Sequence, residues 1–60
     1  MRMKLLEDYD DKRRKGYEME IDKIRYSPNC VGNFAVRVVG EWSEPTYMAI
    51  TWFVRVPDDF

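Results

Sequence analysis

Tyr47-Met48-Ala49-Ile50-Thr51-Trp52-Phe53-Val54-Arg55-Val56 is the longest and most apolar β-type run in a chain of 60 residues. One alternate set, Met48, Ile50, Trp52, Val54 and Val56, is wholly apolar. The other, Tyr47, Ala49, Thr51, Phe53 and Arg55, is only mildly polar. Side chains of a strand alternate between faces, so this segment, read as one strand, asks for cover on both. No proline or acidic residue interrupts it, and a bare edge of this kind invites pairing with another chain.

A chain this short makes one domain and buries only about 60% of the surface its unfolded form exposes. Such domains lean on disulfides, a metal or a second chain. The single cysteine, Cys30, excludes an internal disulfide, and the absence of histidine excludes a Cys/His zinc site. Efficient packing, self-association or a partner is left to supply the stability. Aromatic residues make up 15% of the chain, too many for a disordered segment.

Ten basic and eleven acidic residues leave a net charge of −1, which argues against a dedicated polyanion or membrane-surface binder. No apolar run approaches the roughly 20 residues of a membrane span. The N-terminal residues lack the apolar core of a signal peptide. With one unpaired thiol, these features point to a soluble cytoplasmic protein.

Outward from the quoted run, the chain reads as three further strands. Glu41 to Thr46 leads into the run, with Ser43 to Thr46 as a four-residue hairpin loop. Phe34 to Val39 is the third strand, with Phe34, Val36 and Val38 on one face. Ser27-Pro28-Asn29-Cys30-Val31-Gly32-Asn33 is a loop by composition. Tyr17 to Tyr26 is the second strand. Its apolar positions, Tyr17, Met19 and Ile21, shift phase to Ile24 and Tyr26, the mark of a β-bulge near Asp22-Lys23.

Met1 to Tyr9 reads in two ways. Met1, Met3 and Leu5 alternate as in a strand, and folding back around Arg13 sets Leu5 opposite Ile21 and Tyr9 opposite Tyr17. Alternatively Leu5, Leu6 and Tyr9 share a helical face ending near Gly16. The strand is favoured by its match to the second strand. The fold class is therefore all-β: a small antiparallel four-stranded meander, as a curled sheet, a small barrel or one half of a dimer. The alternative is an α+β arrangement with an N-terminal helix on a three-stranded sheet. Pro57 to Phe60 reads as a fraying end.

Two short pieces, Leu6-Glu7-Asp8-Tyr9-Asp10 and Gly40-Glu41-Trp42, resemble parts of SH3-like barrels. The order and spacing of the other signals depart from that pattern, so nothing is carried over from it.

Catalysis has little to work with. Histidine, the commonest general base, is absent, and Cys30 has no basic neighbour in sequence to lower its pKa. Glu7-Asp8-Tyr9-Asp10-Asp11 offers hard oxygen ligands, but without EF-hand spacing and with cations following at once. No catalytic residue, metal site or cofactor is expected. Four consecutive cations, Lys12, Arg13, Arg14 and Lys15, are the best case for phosphate contact, aided by Arg25, Arg37 and Arg55 near aromatic residues. Asp10 and Asp11 partly cancel that field.

The stronger expectation is a small protein-binding module, acting as an inhibitor, adaptor or assembly factor. Trp42 lies in a tight acidic turn, the setting of many interface anchors. With Glu41, Glu44, Tyr47 and Phe53 it forms the candidate contact surface, for a larger protein or for a second copy in a homodimer. Motif-free chains of this length are often regulators of phages or other mobile elements, an association that rests on size alone. A nucleic-acid-binding β domain using Lys12 to Lys15 is the alternative.

Overall fold

The structure is a computed structural model that describes residues 1–56, so the expectation about Pro57 to Phe60 lies outside it. Among the described residues it is all-β, with five antiparallel strands in one open sheet: β1 (Arg2–Leu5), β2 (Glu18–Tyr26), β3 (Phe34–Val39), β4 (Thr46–Ala49) and β5 (Phe53–Arg55). Residues 2–5 form a strand, which rules out the N-terminal helix. Met3 and Leu5 turn inward while Arg2 and Lys4 face out.

The four-stranded meander needs one correction. The quoted run is two strands, separated by a single 3-10 turn over Ile50–Trp52. The break does two things. It carries the chain from one edge of the sheet to the other, because the strand order is β4-β3-β2-β1-β5. It also changes the phase of burial: Met48 and Phe53, from opposite alternate sets, both point into the core, and Val54 is left outside. An unbroken strand would have had to expose one of those two large side chains.

The crossing forces curvature. The outer strands of a flat five-stranded sheet lie about 19 Å apart. The chain from Ala49 to Phe53 reaches at most about 14 Å when fully extended. The sheet must therefore curl, and β2 is where it bends. Its first half pairs with β1 through Met3–Met19, and among the described residues its second half pairs only with β3, through Ile24–Val36 and Tyr26–Phe34. Between them Asp22 is the extra residue, since Ile21 pairs with Val38 and Lys23 with Arg37. The bulge expected from the phase shift is present, and it keeps Ile24, rather than Lys23, on the core side.

Every strand contributes to one core of Met3, Leu5, Met19, Ile21, Val36, Val38, Met48 and Phe53, against which Trp42, Ile50 and Trp52 pack. The loop before β3 lies against the 3-10 turn. A Cβ on Gly32, whose φ is +81°, would sit 2.8 Å from Thr51 Cγ2. Both the backbone and the space therefore call for glycine. The β1–β2 register also differs from expectation. Leu5 lies at the level of Tyr17, not Ile21, since Lys4 pairs with Glu18 and the Leu5 N–H donates to the Tyr17 carbonyl at 2.9 Å. The shift is four residues, an even number, so the same side chains stay inside.

Candidate functional site

The charged segment between β1 and β2 is an ordered loop. Asp10 Oδ1 accepts the backbone N–H groups of Lys12 (3.0 Å) and Arg13 (2.8 Å), closing an Asx-type turn. Asp8 Oδ1 accepts the Lys15 N–H at 2.7 Å, and its other oxygen lies 3.3 Å from Arg14 Nε. Acid before base in the sequence thus becomes local pairing. The backbone N–H groups of Lys15 and Arg13, followed by the neighbouring guanidinium groups, hold the Asp8 and Asp10 carboxyls below their usual range. A lowered carboxyl stabilises the fold at pH above the usual carboxylate range, and that help is lost as pH falls through its depressed value.

Arg13 reaches out of this loop to the β3–β4 turn. Its Nη1 donates to Asp10 Oδ2 at 2.7 Å, its Nε to Glu41 Oε1 at 2.9 Å and its Nη2 to the Glu41 carbonyl at 3.1 Å. The guanidinium lies over the Trp42 ring, 4.7 Å from its centroid, a cation–π contact. Tyr9 meets Trp42 and Trp52 edge-on at 5.8 and 5.4 Å. The Tyr17 hydroxyl donates to Glu41 Oε1 at 3.0 Å. These contacts form a clasp that joins two loops and covers one side of the core.

The clasp has a titration signature. The hydrogen bond to Glu41, reinforced by partial burial, holds the Tyr17 phenol above its usual value. A raised phenol stabilises the fold below the usual tyrosine pKa, and the contribution disappears as pH rises through the folded value. The phenolate absorbance step lost on Tyr17→Phe is expected above pH ~10, and Glu41→Gln is expected to lower it. A step at or below the ordinary value would contradict the Tyr17–Glu41 bond.

The residues expected to meet a partner or a phosphate therefore separate. Trp42 is half-buried in the clasp and Glu41 is occupied by Arg13 and Tyr17. Phe53, 6% exposed, belongs to the core and has no surface to offer. Glu44 is exposed in the turn, and its carbonyl accepts from Thr46 Oγ1 at 3.3 Å. Tyr47 is exposed on the outer face with the Arg25 guanidinium over its ring at 5.3 Å. In the basic run, Arg13 and Arg14 are paired, and only Lys12 and Lys15 have no ion pair among the described residues.

A different surface is left uncovered. Side chains of paired residues lie on the same face of a sheet. Through Ile24–Val36, Tyr26–Phe34 and Val36–Met48, the side chains of Ile24, Tyr26 and Phe34 share the face that holds the buried Val36 and Met48. Yet Ile24 is 41% exposed, Phe34 41% and Tyr26 64%. The apolar face continues past the point where other elements cover it. Tyr26 and Phe34 stack edge-on at 5.7 Å and so present a pre-formed aromatic pair. On the outer face of this same end lie Lys23 and Arg25, while Arg37 is held by Asp22 through two bonds of 2.8 and 2.7 Å. The Arg37 bond keeps the Asp22 carboxyl below its usual range.

Sequence reading placed these three residues on strands and drew on Tyr26 alone, as one of the aromatic residues near the strand arginines in the nucleic-acid alternative. The re-phasing at Asp22 was the available signal, because it puts Ile24 and Tyr26 on the core side at the far end of the longest strand. Among the described residues no helix is long and apolar enough to cross a membrane. Compared with known protein families, with curated proteins and with solved structures, the chain matches none.

Proposed function

We propose that this chain is a small protein-binding module that acts by covering a surface of a larger polypeptide, as an inhibitor, adaptor or assembly factor. One observation carries the reading: Ile24, Tyr26 and Phe34 extend the core face of the sheet into solvent. Large exposed side chains grouped at one end of a small domain mark interaction surfaces far more often than scattered ones do. Aromatic side chains there are the usual anchors of a protein interface. The clasp around Trp42, in contrast, has its polar and aromatic groups engaged within the chain.

A phosphate-binding role for Lys12 to Lys15 has less support. Two of the four cations are already neutralised by Asp8, Asp10 and Glu41, and the chain as a whole is slightly acidic.

Tyr26→Ser tests the reading. The protein is used to capture partners from its own source, and the affinity of the captured protein is then measured for both forms. Loss of an anchor is expected to weaken binding about thirtyfold or more. Stability is expected to fall by only about 1 kcal/mol, the worth of the exposed edge-on pair with Phe34. Unchanged affinity in a folded Tyr26→Ser variant would contradict the proposal.

A further inference from the structure

We infer that the partner docks as an extended strand along the second half of β2, and that this strand alternates acidic and apolar residues. The inference rests on the protein-binding reading and specifies how that binding occurs. Its first support is the backbone. β1 pairs with β2 over Glu18–Glu20, and beyond Glu20 the contact ends at Ile21, whose N–H donates to the Met1 carbonyl at 2.7 Å and whose carbonyl accepts from the Met1 ammonium at 3.0 Å. At Asp22 the bulge bends β2, and from Lys23 to Tyr26 its described partner is β3 alone. Successive peptide groups of a strand point to opposite sides, so among the described residues this half of β2 presents donors and acceptors without a strand partner on the side away from β3.

The side chains along that edge supply the second support. On the core face Ile24 and Tyr26, with Phe34 beside them, offer apolar surface to alternate residues of an added strand. A hollow of about 390 Å³, lined by Met1, Glu20, Ile21, Asp22, Lys23 and Ile24, opens at the start of the same edge. The other free edges lack this combination. On β4, Met48 is buried, and β5 is only three residues long.

Charge identifies the occupant. Lys23 and Arg25 project from the outer face, and neither is in an ion pair among the described residues, Arg25 resting with its guanidinium over the Tyr47 ring at 5.3 Å and Lys23 being the cation nearer the open edge. The nearby carboxylates are already engaged, Asp22 by Arg37 and Glu20 by the terminal ammonium group at 2.9 Å. A second copy would fit badly. In antiparallel self-pairing about a two-fold axis normal to the sheet, Lys23 lies opposite Arg25 when Ile24 faces Ile24. Moving the axis one residue either way sets Lys23 against Lys23 or Arg25 against Arg25. Like charges opposite one another are unfavourable, and edge cations are a common guard against self-pairing. The complementary strand carries carboxylates opposite Lys23 and Arg25 and apolar side chains opposite Ile24 and Tyr26. Strand addition of this kind takes affinity from the main chain and selectivity from alternate side chains.

The test titrates isotope-labelled protein with a capped heptapeptide alternating glutamate and valine, and separately with its lysine–valine counterpart, following backbone amide resonances. Expected are shifts concentrated at Lys23 to Tyr26, with the glutamate peptide binding about tenfold more tightly. The double variant Lys23→Glu/Arg25→Glu is expected to reverse that order. Besides the absence of any shift at Lys23 to Tyr26, four results would overturn the inference. They are shifts centred elsewhere, equal binding of both peptides, concentration-dependent shifts of these amides with no peptide present, or stronger binding by a thymidine oligonucleotide at the same amides. If Tyr26→Ser abolishes capture while neither peptide shifts Lys23 to Tyr26, strand addition falls and the protein-binding reading stands.

Discussion

Phe53→Ala is expected to cost about 3–5 kcal/mol of stability. A domain of this size has only about 3–9 kcal/mol in total, so the variant is expected to be largely unfolded at about 25 °C. The size of the effect follows from the 3-10 turn at Ile50–Trp52, which rotates Phe53 into the core with Leu5, its partner across the β1–β5 pair. Val54, the next residue, is 47% exposed on the other face. Val54→Ala is expected to change stability by no more than about 0.5 kcal/mol. Urea unfolding of the two variants therefore reads the phase of burial directly. A Phe53→Ala protein that lost under about 1 kcal/mol, or a Val54→Ala protein that lost more than Phe53→Ala, would mean that the strand runs unbroken through the turn.

Trp42→Ala is expected to cost about 3 kcal/mol, the low end for a large aromatic, because the ring is only half-buried. The substitution removes cover from the core, the edge contact with Tyr9 and the π-face beneath Arg13. Trp42→Phe keeps most of that surface and is expected to cost about 1 kcal/mol. Binding in the Trp42→Ala variant is expected to fail only in proportion to the fraction unfolded. A variant that kept its full stability in thermal unfolding and lost its partner would return Trp42 to the interface. Arg13→Ala and Trp42→Ala are expected to be non-additive, since each removes the same cation–π contact and loosens the same clasp.

What could be read from the sequence was mostly local. The alternation of Met3 and Leu5 with Arg2 and Lys4 marked β1, and β3 was legible from end to end. The phase shift between Ile21 and Ile24 announced the bulge at Asp22. The break at Ile50 was hidden by the property that made its segment conspicuous. With both alternate sets apolar, period-2 patterning carries no information about where the burial phase changes. The need to close a curled sheet decides that, and it is a property of the whole chain.

The β1–β2 register failed for a related reason. Cross-strand matching placed Tyr9 beside Tyr17, whereas Tyr9 packs on Trp42 and Trp52 in the folded chain. Glu41 beside a tryptophan in a turn looked like an exposed anchor because its partner, Arg13, lies 28 residues away in sequence. In Tyr26 and Phe34 the opposite error arose. Their alternation is that of core residues, and only the tertiary structure leaves them bare.

The proposed function places a partner at the far end of β2 and β3 rather than on the clasp or the basic loop. Amide hydrogen exchange of the protein, alone and saturated with the partner it captures, distinguishes these surfaces residue by residue. New protection is expected at Lys23 to Tyr26 and at Phe34, with Lys12 to Lys15 and Glu41 to Trp42 unchanged. Protection confined to those loops, with Lys23 to Tyr26 exchanging as in the free protein, would contradict it.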